Sequence, residues 1–217
     1  MPTVLITGAN RGIGLEFARQ YSGDGWDIIA TAREPGPELQ ALGVRIEMLD
    51  MRDLDAVAGF GSKIGPLDLL IANAGTWIPE QAESAEDGRA WADMMVTNSI
   101  APYMLAKSVL PRLGAGGKLI AISSGMGSIG ESSGGHVPYR ASKAVLNMAW
   151  HALAIEARPM GVIAAAFDPG WVKTRMGGPN ARVAPEDSVA DMRRLIEALT
   201  PEQSGAFVKR DGTAHSW

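Results

Sequence analysis

The sequence predicts an α/β fold: one doubly wound domain with a parallel sheet of about seven strands and helices on both faces. Two observations predict it. Short apolar runs of strand length alternate with helical patterns along the chain, as in successive βαβ units. The runs are almost continuously apolar, as expected for strands that helices cover on both faces. The length of 217 residues suits one domain, spanning residues 1–217.

The predicted strands are the apolar runs at residues 4–7, 27–32, 44–49, 67–72, 118–123, 162–167 and 206–208. Helical patterns lie between them. These start after Gly14 and continue at residues 54–63, 87–113, 139–157 and 186–199. Ligands of such folds bind beyond the carboxyl ends of the strands. The residues that follow each strand are therefore the candidates for a binding site.

Composition argues against several classes of function. The net charge is −4 with no basic run, which argues against nucleic-acid binding. The chain has no Cys and three scattered His, so a metal site is not expected. No apolar run reaches the length of a membrane span, and the first residues do not resemble a secretory signal. The expected location is the cytoplasm.

The turn after the first strand contains Gly8, Gly12 and Gly14, with Asn10, Arg11 and Ile13 between them. Glycines let the backbone approach a phosphate, and the helix N-terminus that follows favours an anion. This context favours dinucleotide binding of the Rossmann type. The alternative is a tight connection between strand and helix.

The end of the second strand indicates which dinucleotide is bound. An acid there binds the ribose 2′-hydroxyl of NAD, whereas Arg accommodates the 2′-phosphate of NADP. The chain has Arg33 at this point, with Arg11 nearby in the glycine turn. We predict NADP(H) over NAD(H); the alternative is a solvated Arg33. Asp50 can reach the adenine or cap a helix.

The later strand ends carry further candidates. Asn73-Ala74-Gly75 follows the fourth strand, where small residues permit close approach. Asn98 lies inside a predicted helix, and Pro102 lacks the N–H that would bond its carbonyl, which is then free to hold a water. A packing kink is the alternative. Ser123 and Ser124 close the fifth strand, and either hydroxyl can meet a substrate carbonyl.

Tyr139 and Lys143 lie four residues apart, on one face of a predicted helix. A free Tyr has a pKa of about 10. A nearby cation stabilises the phenolate and lowers that pKa. The pair is thus a candidate general acid/base, although most such pairs serve packing.

Taken in order, these motifs resemble the short-chain dehydrogenase/reductase family over essentially the whole chain. Several details resemble its C-factor-like carbonyl reductase branch, among them Tyr139-Arg140-Ala141-Ser142-Lys143 and Pro169-Gly170-Trp171-Val172-Lys173-Thr174. The loop between Ser124 and Tyr139 is long, as in that branch, which keeps Ser123 as a rival for the hydroxyl role. Asp168 stands where the branch often has His.

The resemblance implies a catalytic tetrad of Asn98, Ser124, Tyr139 and Lys143. Tyr139 would transfer the proton, Lys143 would hold the ribose, Ser124 would orient the substrate oxygen, and Asn98 would hold a water. The implied cofactor-binding residues, beyond those of the glycine turn and Arg33, are Asp50, Met51, Asn73, Ala74, Gly75, Tyr139, Lys143, Pro169, Gly170, Val172 and Thr174. Residues 171–185 would form a lid.

The sequence therefore predicts an NADP(H)-dependent oxidoreductase acting on a small carbonyl or alcohol. Loops at residues 76–83, 125–138 and 171–185 should shape substrate access, with Trp77, Ile78, Trp171 and Met176 suggesting an apolar pocket. The resemblance implies a homodimer or homotetramer, and Trp91, Met94, Met95, Met148 and Trp150 are candidates for the interface or for the core. The alternative function is a non-catalytic NAD(P)-binding sensor or signalling protein.

Overall fold

The computed structural model describes residues 1–78 and 84–217 and contains one sheet of seven parallel strands. These are β1 Thr3–Thr7, β2 Asp27–Ala32, β3 Arg45–Met48, β4 Leu67–Ala72, β5 Leu113–Ile122, β6 Ile163–Asp168 and β7 Phe207–Lys209. Their order is β3-β2-β1-β4-β5-β6-β7. The order reverses between β1 and β4, which opens a crevice at the carboxyl ends of the strands. The predicted doubly wound fold is confirmed.

The helices cover both faces of the sheet. They are α1 Gly12–Gly23, α2 Pro37–Gln40, α3 Leu54–Gly59, α4 Ala85–Met95, α5 Ala101–Val109, α6 Val137–Ala157 and α7 Pro185–Ala198. One buried apolar cluster joins the sheet to α3, α5 and α6, and includes Leu105 and Trp150. The other joins it to α1 and α7, and includes Phe17 and Val189. Within the described ranges, no helix is long and apolar enough to cross a membrane.

The long helix predicted at residues 87–113 is in fact several segments. A π-helix, Val96–Ile100, separates α4 from α5, and a 3-10 turn ends the run at Arg112. The N–H of Ala101 bonds the carbonyl of Val96, five residues back, just before Pro102. Since Pro102 cannot donate, the break in the α-helical ladder falls where the sequence predicts it.

The fifth strand starts earlier than predicted. It begins at Leu113 and runs through a glycine-rich stretch that resembles a loop in sequence. Its register with β4 shifts between Leu67 and Leu69, so the glycines lie where the pairing is irregular. Because glycine-rich sequence is typical of loops, the first half of this strand was not predicted.

Helix α6 carries Tyr139 and Lys143 to the crevice. Its buried face repeats at helical spacing through Ser142, Leu146, Trp150 and Leu153. The indole N–H of Trp150 donates to the Leu119 carbonyl at 3.0 Å and anchors the helix on β5. The helix ends at Ala157, as predicted.

Candidate active site

A cleft of about 1690 Å³ runs along the carboxyl ends of the strands. Most of the predicted site residues line it: Gly8, Asn10, Arg11, Gly12, Ile13, Arg33, Asp50, Asn73, Ala74, Gly75, Ser123, Ser124, Tyr139, Lys143, Pro169, Gly170, Val172 and Thr174. Gly14, Met51 and Asn98 are not among the lining residues. The volume is large enough for an extended ligand such as a dinucleotide.

The glycine turn packs closely against the end of β4. A Cβ at Gly14 would come within 2.5 Å of Asn73 Nδ2 and still closer to the Gly8 carbonyl oxygen. Gly12 has φ +56°, and a Cβ there would meet the Thr174 methyl group at 3.1 Å. These contacts require glycine at both positions. They also leave the backbone at the start of α1 open to the cleft.

Two Asn side chains hold the turn in place. Asn73 Nδ2 donates to the Thr7 carbonyl at 3.0 Å, and the Asn73 N–H donates to Thr7 Oγ1 at 3.0 Å. Asn10 Oδ1 accepts from the Gly36 N–H at 2.5 Å. The first side chain joins β4 to β1, and the second joins the glycine turn to the loop after β2.

One end of the cleft gathers three exposed guanidinium groups, those of Arg11, Arg33 and Arg175. Burial, followed by the charges of Arg175 and Arg33, lowers the pKa of Arg11. No ion pair among the described residues includes any of the three. Arg175 joins the two arginines predicted from the sequence because residues 171–185 fold back onto the glycine turn, where Thr174 meets Gly12.

Asp50 pairs with Arg52 at 2.9 Å, which holds the pKa of the Asp50 carboxyl below its usual range. The alternative that Asp50 caps a helix is wrong, because Asp53 accepts the capping bond from Ala56 N–H at 3.0 Å. Met51 was predicted to bind the cofactor. Its side chain is buried in the apolar cluster under α3, so it does not reach the cleft.

Tyr139 and Lys143 lie side by side in the wall of the cleft. Lys143 Nζ is 5.8 Å from the Tyr139 ring centre and donates to the Ile122 carbonyl at 2.8 Å. Burial raises the pKa of Tyr139 to about 12, although a hydrogen bond with Ser124 acts in the opposite direction. Burial lowers the pKa of Lys143 to about 8. Lys143 does not lower the phenol pKa as expected, because an ammonium with a pKa of about 8 has lost its charge before a phenol with a pKa of about 12 ionises.

The two serines after β5 have different partners. Ser124 hydrogen-bonds the Tyr139 side chain, and its Oγ also accepts from the Met126 N–H at 3.2 Å. Ser123 is buried and donates to Asn147 Oδ1 at 2.5 Å. Ser124 is therefore the hydroxyl beside the phenol.

Asn98 is fully buried on the π-helix and makes three side-chain hydrogen bonds. Its Oδ1 accepts from Thr76 N–H at 2.7 Å, and its Nδ2 donates to the Thr76 carbonyl at 2.9 Å and to Ser142 Oγ at 3.1 Å. It thus joins the loop after β4 to the helix that carries Tyr139 and Lys143.

The segment after β6 forms the facing wall. Gly170 N–H donates to Asp168 Oδ1 at 3.0 Å, and the carbonyl of Pro169 accepts from Ser188 Oγ at 2.8 Å. Val172 pairs with Val183 in an isolated bridge, which folds residues 171–185 into a compact flap. Its residues from Trp171 to Gly177 border the cleft.

One aromatic ring packs against the phenol, and further apolar side chains line the cleft. The Trp77 ring lies 4.9 Å from the rings of both Tyr139 and His136. Trp171 and Met176 line the cleft from the flap. Part of the predicted access loop at 76–83 lies outside the described residues, since 79–83 are not described.

Comparison with known proteins decides the family. The family model described as short chain dehydrogenase matches residues 2–183. The chain belongs to the short-chain dehydrogenase family. The C-signal protein of Myxococcus xanthus is 39% identical over 156 residues, covering 70% of this chain and 94% of that protein.

Two solved structures are also similar to the chain. The carbonyl reductase Sniffer of D. melanogaster has a TM-score of 0.92 and 32% identity, with 100% of both chains covered. The NADPH-bound carbonyl reductase from chicken fatty liver has a TM-score of 0.90 and 31% identity, covering 100% of this chain and 94% of that one. The resemblance drawn from the sequence is confirmed, and the chain is a member of an oxidoreductase family.

Proposed function

We propose that this protein is an NADP(H)-dependent oxidoreductase that interconverts a small carbonyl compound and its alcohol. One observation carries the proposal. Tyr139, hydrogen-bonded to Ser124 and next to the buried Lys143, faces a cleft that also contains a glycine turn and a cluster of arginines. An acid/base group and a dinucleotide-sized site therefore share one cavity.

The residues of the cleft fit NADP(H). The glycine turn and the N-terminus of α1 suit the pyrophosphate, since helix N-termini favour anions. The cluster of Arg11, Arg33 and Arg175 suits a 2′-phosphate, because guanidinium groups bind phosphate oxygens in pairs. The remaining predicted contacts, from Asn73 to Gly75 and from Pro169 to Thr174, would border the nicotinamide half. The NADPH-bound relative supports this choice over NAD(H).

When bound, the nicotinamide supplies or accepts the hydride. Tyr139 donates its proton to the carbonyl oxygen in reduction and removes one from the alcohol in oxidation. The Tyr139 phenol, whose pKa burial raises to about 12, is protonated at neutral pH, and this is the form that reduction requires.

The other members of the tetrad support that proton transfer. Ser124 would orient the substrate oxygen beside the phenol. Lys143 would hold the ribose hydroxyls and place a positive charge next to the phenolate that forms. Asn98, through its main-chain carbonyl, would hold a water near Lys143. Its side-chain bonds to Thr76 and Ser142 keep that backbone segment in place.

The substrate would be a carbonyl compound with apolar substituents. Trp77 stands beside the phenol, and Trp171 and Met176 face the cleft from the flap. Aromatic and aliphatic walls of this kind favour apolar groups on either side of the reacting carbon.

We propose also that the protein forms a homodimer or homotetramer through α6. Met94 and Trp150 are buried and belong to the core, but Met148 is 67% exposed. Val145, Met148 and Ile155 are exposed and lie on one face of α6 at spacings of three and seven residues. An apolar helix stripe of this kind is typical of a subunit interface.

The second candidate is a non-catalytic NAD(P)-binding signalling protein. The similarity to a protein named C-signal favours it. The complete set of Asn98, Ser124, Tyr139 and Lys143 argues for catalysis instead, since a sensor does not need an acid/base group.

One experiment separates these functions. NADPH and NADH are titrated into the protein, and a panel of aldehydes and ketones is then added while the nicotinamide absorbance is followed. The proposal expects tighter binding of NADPH and its consumption with at least one carbonyl. NADPH binding without consumption across the panel, and without reduction of NADP⁺ by the matching alcohols, would favour the signalling protein.

A further inference from the structure

A network of titratable side chains connects His215, near the end of the chain, to the floor of the cleft. His215 Nε2 lies 2.9 Å from Asp168 Oδ2, and His215 Nδ1 lies 3.1 Å from Glu131 Oε2. The imidazole stacks on Phe207 with ring centres 4.4 Å apart. The His215 side chain is 5% exposed and the Asp168 side chain 17% exposed. The His215–Asp168 pair is therefore largely shielded from water, whereas 39% of the Glu131 side chain is exposed.

This network touches the candidate active site at two points. A Cβ at Gly125, next to Ser124, would lie 3.0 Å from His215 Cε1 and 3.1 Å from Asp168 Oδ2. The second oxygen of Asp168 accepts from the Gly170 N–H on the cofactor side of the cleft. Asp168 itself lines the cleft together with Lys143. Its carboxylate is thus held from both sides within the wall that contains the acid/base pair.

Lys143 has no carboxylate partner of its own in the described part of the chain. Its ammonium is buried and donates to the carbonyl of Ile122. A buried ammonium bonded to a neutral acceptor is unfavourable unless an anion is near. Ile122 pairs with Phe167 of β6, and Asp168 follows Phe167, so Asp168 lies on the strand next to the carbonyl that accepts from Lys143. The ring centre of Tyr139, on the same helix as Lys143, is 5.8 Å from the ammonium nitrogen.

We propose that Asp168 is the counter-charge that keeps Lys143 protonated, and that His215 and Glu131 are positioning residues that hold Asp168 in place for this role. The proposal rests on the proposed function, because it assigns a charge balance to that site. It also gives the C-terminal segment a part in the chemistry. The titratable groups around Asp168 are Lys143, His215 and, through its ion pair with Glu131 at 3.5 Å, Lys209.

The charge on Asp168 opposes the effect of burial on Lys143. Burial lowers the pKa of Lys143 to about 8, and the Asp168 carboxylate raises it. Removing that charge should lower the Lys143 pKa further, so that the ammonium loses its proton at a lower pH. Asp168→Asn is the suitable variant, since an amide oxygen can still accept from Gly170 N–H.

The experiment follows the lysine side chains by NMR in protein labelled with ¹³C-lysine. The chain has six lysines, and Lys143→Met identifies the Lys143 signal. Asp168→Asn should shift its titration downward by about half a pH unit or more. Lys118 is the internal control, because it is also part-buried on backbone carbonyls, at 2.6 Å from that of Ile196, and is not near Asp168. An unchanged Lys143 titration overturns the proposal.

The role of His215 is tested by two substitutions and one control. His215→Leu removes both hydrogen bonds and should lower the midpoint pH of the Lys143 titration, as Asp168→Asn does. His215→Gln keeps an N–H that can donate to Asp168, so its midpoint should equal that of the wild type. His151→Leu is the control, since His151 contacts Trp217 and the Gly205 carbonyl but no carboxylate.

Equal shifts in His215→Leu and His215→Gln, or none in either, would contradict the positioning role. If His215→Leu does not fold, the comparison of His215→Gln with Asp168→Asn decides, since only the latter should shift. These readouts need no turnover. A failure of the protein to bind NADPH would therefore refute the proposed function, while the role of Asp168 would still be decided by the Lys143 titration.

Discussion

Lys143 Nζ lies 5.8 Å from the centre of the Tyr139 ring and bonds the Ile122 carbonyl rather than the phenol. Burial raises the pKa of Tyr139 to about 12 and lowers that of Lys143 to about 8. At neutral pH the pair is thus a neutral phenol beside a cation. This is the state from which Tyr139 can donate a proton, with Lys143 placed to stabilise the phenolate left behind.

The buried Lys143 should make the fold less stable at neutral pH. Its pKa is lowered from 10.5 to about 8, so the charged form is disfavoured in the folded state. The free energy cost is full below pH 8, falls between pH 8 and 10.5, and is absent above. Lys143→Met removes the charge but leaves the Ile122 carbonyl without this donor, which offsets part of the gain.

We therefore expect Lys143→Met to raise the free energy of unfolding by about 1 kcal/mol at pH 7, and to lose this advantage at pH 11. Turnover should fall at the same time. Urea unfolding at the two pH values measures the difference. A variant that is less stable than the wild type at pH 7 would contradict this account of Lys143.

Arg33 should select the cofactor. Arg33→Asp replaces a cation at the end of β2 with an acid, which suits a ribose 2′-hydroxyl and repels a 2′-phosphate. The ratio of the NADPH and NADH dissociation constants should shift toward NADH by about tenfold or more. Arg89→Asp, on the exposed surface of α4, makes the same change in charge away from the cleft. An equal shift in both variants would show that Arg33 has no specific role.

Gly14 should tolerate no side chain. Gly14→Ala places a methyl group against the Gly8 carbonyl oxygen and Asn73 Nδ2, and should lower the free energy of unfolding by about 1–3 kcal/mol. NADPH binding should weaken as well. Gly23→Ala is the matched control in the same helix, with no atom within 4 Å of the new methyl group. An equal loss of thermal stability in Gly14→Ala and Gly23→Ala would contradict the packing argument.

Met148 should belong to the subunit interface. Met148→Glu puts a charge in the centre of the exposed apolar face of α6, where it would be buried on association. Light scattering should then give the 22.9 kDa monomer, where the wild type gives a dimer or tetramer. A wild-type mass equal to the monomer would refute the interface.

Much of the fold was predictable because its signals are local. The apolar runs at 27–32 and 67–72 became β2 and β4 without change, and α6 ended at Ala157. The start of β5 at Leu113 was not predictable, since pairing with β4 overrides a glycine-rich sequence. Pro102 indicated a disturbance of the helix at Asn98, but the sequence did not indicate that it would take the form of a π-helix over Val96–Ile100.

The candidate site was predictable where a residue follows a strand, as with Asn73 and Ser124. Residues that act across the fold were not. Arg175 reaches the arginine cluster because the flap folds back, and His215 meets Asp168 through contacts 47 residues apart in sequence. No pattern within either segment indicates its partner.

The most direct test compares NADPH consumption by the wild type and Tyr139→Phe on a carbonyl that the wild type reduces. Tyr139→Phe should lose about 100-fold or more in rate, the usual contribution of a general acid, while its dissociation constant for NADPH changes little. Tyr103→Phe, on α5, should behave like the wild type. If Tyr139→Phe turns over at the wild-type rate, Tyr139 is not the proton donor and the central claim fails.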